Sequence, residues 1–180
     1  VTNDKVDVGA YYAGFNLGYK FTAPFKAELG FEYLSGKDQN DTDTKVKSFT
    51  PLFGTNHGFN GLMDYFYVGN HKNSVGLQDF YTKFIYDKNK WQVTLSPHLF
   101  YSAASVYNMT TLEEQDSYLG TEIDLTATYK MDKNFVITGG VSKMFASETM
   151  EILKGGNINN CNNWAWVMVS FNPQLFTYKK

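Results

Sequence analysis

The feature that most constrains the fold of this chain is the alternation of apolar and polar side chains along strand-length segments. Within residues 25–34, apolar side chains occupy the odd positions, whereas Lys26, Glu28, Gly30 and Glu32 alternate with them. A period of two indicates a β-strand, because successive side chains of a strand point to opposite faces. The pattern recurs in 9–21, 75–87, 91–106, 119–130, 135–148 and 164–176. The sequence therefore predicts an all-β, antiparallel protein of about seven strands.

Hydropathy and aromatic content indicate the surroundings of these strands. Mean hydropathy is low, at −0.36, yet aromatic residues make up 17% of the chain. A membrane barrel accounts for both values, because one wall of each strand contacts lipid and the other faces a polar interior. Each segment is long enough to cross a bilayer at a tilt, which takes about 9–11 residues. We therefore predict a transmembrane, antiparallel, up-and-down β-barrel, with a soluble β-sandwich as the alternative.

The connections between the predicted strands alternate in length. Short turns lie at 22–24, 87–90 and 131–134, and long connections at 37–74, 107–118 and 149–163. Outer-membrane barrels place short turns on the periplasmic side and long loops outside. Aromatic residues also flank the strand ends, as expected for side chains at the level of lipid headgroups. These features predict a location in the bacterial outer membrane, in contact with its lipid and lipopolysaccharide.

The number of strands bears on the extent of the domain. Bacterial single-chain barrels have an even number of strands, whereas about seven are predicted here. An open sheet edge in lipid would leave backbone groups without hydrogen bonds. We therefore expect residues 1–180 to form one barrel region, the C-terminal portion of a larger barrel, with 37–74 as a long extracellular or lumen-folded loop.

The second part of this loop has an unusual composition. Residues 37–47 are polar and charged, whereas 48–70 are rich in aromatic residues and glycine. Long loops with their own apolar side chains are usually functional. This part could enter the lumen as a constriction, cap the mouth against other loops, or pack on a partner protein; we favour the first two. The candidate constriction or cap residues are Phe49, Phe53, Asn56, His57, Phe59, Asp64, Tyr65 and Phe66.

The polar side of the alternating strands supplies candidate pore-lining residues. They are Lys26, Glu28, Glu32, Asp79, Lys83, Gln92, His98, Glu122, Asp124 and Lys130. Such residues either tune which solutes pass or merely satisfy one another across the strands. Lys143 falls on the apolar side, which predicts either a lysine reaching the headgroups or a bulge at Gly139–Gly140 that reverses the alternation.

Residue content disfavours other functions. His57, His71 and His98 do not share metal-ligand spacing, and the single Cys161 has no partner for a zinc site. Ser96 and His98 lie on the polar side, away from lipid, so a lipid-hydrolysing site is not expected. Net charge is −2 with no basic stripe, which argues against nucleic-acid binding. We expect no enzymatic activity, no cofactor and no metal.

Two stretches resemble a known family. They are SFTPLFGTNHGFNGLMDYFYVGNHKNSVGLQDFY, residues 48–81, and the closing NNWAWVMVSFNPQLF. Both resemble the C-terminal region of alginate-export-type outer-membrane proteins, which are porin-like barrels of Gram-negative bacteria. The resemblance implies a large monomeric barrel with a charge-lined pore restricted by loops. It also implies export or diffusion of a polar solute, with an anion among the candidates.

Two functions follow from these observations. The leading prediction is a passive outer-membrane channel for a polar solute, with a charge-lined lumen constricted by residues 48–70. The alternative is a non-transporting barrel that acts as a scaffold and binds protein partners through its extracellular loops.

Overall fold

Seven strands account for most of the regular structure. The computed structural model describes residues 6–52 and 60–178. The strands are β1 (Tyr12–Lys20), β2 (Phe25–Leu34), β3 (Leu77–Lys88), β4 (Trp91–Tyr101), β5 (Tyr118–Lys130), β6 (Phe135–Ala146) and β7 (Asn162–Phe171). A short 3₁₀ turn spans Val68–Asn70, and one helix, α1, spans Glu148–Lys154.

All seven strands belong to one sheet in the order of the sequence, β1 to β7, and each neighbouring pair is antiparallel. The predicted all-β, up-and-down arrangement is confirmed. The sheet does not close, because within the described residues β1 pairs only with β2, and β7 only with β6. This open sheet is consistent with part of a larger barrel.

The connections join the strands at two opposite ends of the sheet, and the short and long connections lie at different ends. The short connections 21–24, 89–90 and 131–134 lie at one edge, which we call the short-turn edge. The connections 35–76, 102–117 and 147–161 lie at the opposite, long-loop edge. The N-terminal segment also lies at the long-loop edge, where Gly9 N donates to Val46 O.

The two faces of the sheet differ sharply in chemistry, and the apolar one is exposed. On the apolar face, Leu29 is 53% exposed and Leu125 is 42% exposed. On the polar face, Asp79 is 0% and Asp124 is 2% exposed. In a water-soluble sheet packed on a core, the burial would be reversed. The strand alternation therefore produces a sheet whose apolar face is uncovered.

Aromatic rings concentrate near both edges of the apolar face. At the short-turn edge the ring pairs are Tyr19–Phe21, Phe25–Tyr86, Trp91–Tyr129 and Phe135–Phe171. At the long-loop edge they are Tyr11–Tyr33, Phe31–Phe80 and Tyr101–Tyr118. Trp91 and Tyr101 are the two ends of β4. About ten residue rises separate them, which at a tilt of about 40° project to roughly 26 Å, close to the apolar band of outer-membrane barrels.

The predicted strand ends need correction at the long-loop edge and at the C-terminus. β6 ends at Ala146, and α1 occupies part of the connection expected to be a loop at 149–163. Ser147 caps this helix by accepting from Met150 N, and Gly155, with φ of 72°, follows its last residue. β4 ends at Tyr101 rather than at residue 106, and β7 ends at Phe171 rather than at residue 176. No helix in the described part of the chain has the length and apolar character needed to cross a membrane.

The register between β5 and β6 settles the position of Lys143. It runs without a shift from Gly120↔Ala146 to Lys130↔Val136, so no bulge at Gly139–Gly140 reverses the alternation. Lys143 therefore stays on the apolar face, three residues from the end of β6 at the long-loop edge. Its Nζ lies 4.9 Å from the centroid of the Phe145 ring.

A small apolar core lies at the long-loop edge. Its buried members are Leu34, Phe66, Leu77, Phe100, Leu119, Met144 and Met150. They come from strands or strand ends, from the loop between β2 and β3, and from α1. Because this core covers one end of the polar face only, the loop and the helix are attached to that face of the sheet.

Candidate functional site

All ten predicted pore-lining residues share the polar face. The register pairs Glu32 with Asp79, His98 with Glu122, and Glu28 with Lys83. The remaining members, Lys26, Gln92, Asp124 and Lys130, follow by alternation along the same strands. Sequence alternation thus places these side chains correctly with respect to one another, and whether they line a pore stays a prediction.

The loop between β2 and β3 crosses this face and is held there by carboxylates. Asn60 Nδ2 donates to Glu32 Oε2 over 2.9 Å and to Asp79 Oδ2 over 3.1 Å. The backbone N–H groups of Leu62 and Met63 both donate to Glu122 Oε1, over 2.6 and 2.9 Å. Hydrogen bonds to charged acceptors are among the stronger ones in proteins. The segment from Asn60 to Met63, which we call the loop anchor, is therefore fixed to three strands.

Gly61 makes this attachment possible. Its φ is +78°, a conformation that residues with a Cβ rarely adopt. A Cβ at this position would lie 2.5 Å from Glu122 Oε1, well inside van der Waals contact. The backbone turns here so that two successive N–H groups point at one carboxylate oxygen, an arrangement suited to binding an anion.

Apolar contacts hold the next part of the loop. The Phe66 ring lies 4.7 Å from that of Phe100 on β4, and both are buried. Lys154 of α1 lies 5.3 Å over the Phe66 ring, and burial lowers the pKa of this lysine. Burial, followed by the negative charge of Glu122, raises the pKa of the neighbouring Tyr65. Phe66 is thus enclosed between β4 and α1.

His71 stabilises the same segment from its C-terminal side. The side chain is buried, and Nε2 lies 3.0 Å from Phe66 O. Burial lowers the pKa of His71; the hydrogen bond to Phe66 O opposes this shift, and the charge of Lys154 adds to it. In the neutral form Nε2–H donates to Phe66 O and closes a turn over residues 66–71.

The eight predicted constriction or cap residues divide into two groups. Phe49, Asp64, Tyr65 and Phe66 are described: Phe49 contacts the ring of Tyr12 at 5.6 Å, and Asp64 adopts a positive φ of 59°. Phe53, Asn56, His57 and Phe59 lie outside the described residues. Residues 60–66 of the loop lie against the polar face of the sheet.

A cluster of buried acidic side chains lies beneath the loop anchor. His98 Nδ1 lies 3.0 Å from both carboxylate oxygens of Asp79, and His98 Nε2 lies 3.9 Å from Asp124 Oδ2. Glu122 Oε2 and Asp124 Oδ1 are buried and accept from no donor group among the described residues, although the two carboxyl groups lie within hydrogen-bond range of each other. Buried carboxylates normally have partners, and these two can serve as partners only by sharing a proton.

Comparison of the chain with known proteins identifies no family. The chain matches no protein-family model and no curated protein. The resemblance to alginate-export-type barrels therefore stays a prediction. Within the described ranges, no group of three or more His, Cys, Asp or Glu side chains is arranged to hold a metal ion.

The polar part of the same loop, residues 37–47, forms a separate structure at the long-loop edge. Lys47 Nζ contacts Asp41 Oδ2 at 2.6 Å, and the hydrogen bond from Lys47 lowers the pKa of Asp41. Asp38 Oδ1 accepts from Ser105 N, which joins this segment to the connection between β4 and β5. A cavity of about 650 Å³ lies between this segment, residues 70–76 and the end of α1. The long connections thus pack on one another as well as on the sheet.

Sequence reasoning misses several residues of the site. Asn60, Gly61 and Phe100 do not stand out in the sequence, although Asn60–Gly61 is a turn signal. For His71, the sequence shows only that it lacks metal-ligand spacing to the other histidines, and gives no sign of its contact with Phe66. These residues act through contacts between distant segments, which alternation along one strand does not encode.

Proposed function

We propose that this chain is part of an outer-membrane β-barrel that forms a passive pore for polar solutes. The observation that carries the proposal is the inverted burial of the sheet, with exposed leucines and phenylalanines on one face and buried carboxylates on the other. Lipid against the apolar face removes the cost of exposing it, and charged side chains belong on the side away from lipid. The paired rings at both edges suit the headgroup levels of a Gram-negative outer membrane, with lipopolysaccharide outside.

The loop anchor supplies the constriction in this proposal. A segment attached to the inner wall through Glu32, Asp79 and Glu122 narrows the passage, while the remaining charged wall stays accessible to water. The solute then passes between the anchored loop and the wall, where polar side chains replace part of its hydration.

The test is conductance in planar lipid bilayers. We expect the purified, detergent-extracted protein to give discrete current steps. Replacement of residues 60–66 by a Gly-Ser linker of equal length should increase the size of those steps, because it removes the anchored segment. A protein that inserts into bilayers and gives no current in either form would contradict the pore.

One observation favours a second candidate, a closed barrel that acts as a scaffold for protein partners. The apolar core around Phe66 and Phe100 fills one end of the polar face. If it fills the whole cross-section, the barrel does not conduct, and the packed long connections become the functional surface. The linker variant separates the two candidates, since a scaffold would gain conductance only after the loop is removed.

A further inference from the structure

The charged residues of the polar face are segregated along the strands. Near the long-loop edge lie four acidic residues and one histidine: Glu32, Asp79, Glu122, Asp124 and His98. Near the short-turn edge lie three lysines and one aspartate: Lys20, Lys26, Lys130 and Asp87. Glu28 and Lys83 are register partners between these groups. The face therefore has an acidic half and a basic half.

Contacts within the acidic half do not neutralise its charge. Among the described residues, His98 is the basic side chain that contacts the cluster, and even in its charged form it offsets one carboxylate. Glu122 Oε2 and Asp124 Oδ1 accept from no donor group in the described chain, and the two carboxyl groups lie within hydrogen-bond range of each other. If Glu122 and Asp124 share one proton, the pair still carries one negative charge. Four carboxyl groups face one histidine here, so the half remains negative even when one proton is shared and His98 is charged.

The constriction lies at the acidic half. The loop anchor bonds to Glu32, Asp79 and Glu122, so the segment that narrows the passage lies within hydrogen-bond distance of these charges. The field of fixed charges is strongest where a passage is narrow and its walls have a low dielectric constant. A mobile ion therefore experiences the acidic half more strongly than the basic half, which has no such segment among the described residues.

We propose that this pore selects cationic solutes over anionic ones, with the acidic half as the element that determines selectivity. The inference rests on the proposed pore function and names the solute class for it. It differs from the anionic solute that the sequence resemblance allows, because the wall at the constriction carries the opposite sign.

The test is the reversal potential of the protein in planar bilayers under a KCl gradient. We expect potassium to be more permeant than chloride. Glu32→Gln removes one charge while the amide oxygen still accepts from Asn60 Nδ2, so the loop anchor is retained. This variant should lower the permeability ratio by about two- to fivefold, the effect of one unit charge acting across a water-filled gap.

Lys143→Gln is the matched control, since it changes one charge on the apolar face and should leave the ratio unchanged. Absence of current from inserted wild-type protein would overturn the pore itself. Current with a preference for chloride would overturn the cation selectivity and leave the pore intact. A cation preference that Glu32→Gln does not lower would overturn the assignment to the acidic half. The sign measured for the wild-type protein decides the inference even if the variant fails to insert.

Discussion

At the scale of single residues, the site depends on a fit between one glycine and one carboxylate. Gly61 brings the N–H groups of Leu62 and Met63 to Glu122 Oε1, and no larger residue could adopt its backbone conformation in that space. The contact joins positions about sixty residues apart in the chain. It fixes the loop by its main chain, so the loop position depends little on which side chains follow.

Substitution of Gly61 tests this fit. We expect Gly61→Ala to release the loop anchor, because the added Cβ meets Glu122 Oε1 and the positive φ is strained. The free energy of unfolding in bilayers should fall by about 2 kcal/mol or more, and single-channel current should become noisier.

Gly155→Ala is its control. Gly155 has a similar φ of 72°, but a Cβ added there would meet no other atom within 4 Å, so only the backbone strain remains. Its ψ of −173° places Gly155 in a backbone region that is essentially confined to glycine, so the strain should cost about 1–3 kcal/mol. A loss for Gly61→Ala that does not exceed the loss for Gly155→Ala would show that the contact with Glu122 contributes nothing.

His71 should make the loop sensitive to acid. Its pKa is lowered from the ordinary value of 6.5, so the folded chain favours the neutral form. The contribution of neutral His71 to the free energy of unfolding is therefore fully present above pH 6.5. It is lost as the pH falls through the lowered pKa. Between about pH 7.5 and 5.5 the free energy of unfolding should fall by about 1 kcal/mol more in wild type than in His71→Gln. Glutamine keeps a donor for Phe66 O and does not titrate. The same pH dependence in both proteins would exclude His71 as the source.

At the scale of elements, strands are easier to predict than the structures that cover them. The observed bounds of β2 coincide with the alternating segment 25–34. A strand can be predicted in this way because the side chains of its two faces alternate in the local sequence. The helix α1 escapes prediction, although Ser147, the acidic residues Glu148 and Glu151, and the glycines after Lys154 are all helix-end signals. Its seven residues are too few to show a clear period of 3.6.

The position of the loop is predictable only in outline. The aromatic composition of 48–70 indicates that it folds against something, and the described part does lie on the polar face. The partners of Asn60 and of the N–H groups after Gly61 come from β2, β3 and β5, and their convergence depends on the register of the whole sheet. Such convergence is a property of the fold, and no local pattern carries it.

Removal of the helix cap should weaken the attachment of α1. Ser147 Oγ accepts from Met150 N and donates to Tyr118 O. We expect Ser147→Ala to lower the free energy of unfolding by about 1 kcal/mol, whereas Ser147→Thr keeps the hydroxyl and most of the stability. Urea unfolding in lipid vesicles, followed by the fluorescence of the three tryptophans, would measure the difference. No difference between the two variants would mean that the cap is dispensable.

At the scale of the whole molecule, the direction of burial distinguishes this sheet from a soluble one. A soluble sheet gains stability by removing its leucines from water, about 25 cal/mol for each Å². Here the leucines of the apolar face stay exposed, and the buried residues near the centre of the polar face are largely polar. The sheet therefore needs an apolar surrounding for its exposed face, and lipid is the one we propose.

Replacement of two adjacent residues by lysine, one at a time, tests which face of the sheet contacts lipid. Leu125 and Thr126 are neighbours on β5 and point to opposite faces. Leu125→Lys should cost about 2–4 kcal/mol near the bilayer midplane, whereas Thr126→Lys should be tolerated. Folding into lipid vesicles, monitored by the temperature dependence of gel mobility, gives the comparison. Equal tolerance at both positions would argue against lipid on the apolar face.

The attachment through main-chain N–H groups has a practical consequence for engineering. Because Leu62 contributes its backbone amide to Glu122, its own side chain takes no part in that hydrogen bond. In the proposed pore, bulkier or smaller replacements at position 62 can then resize the opening without detaching the segment that forms it. Width and anchorage would thus be separable properties of that pore, adjustable one at a time.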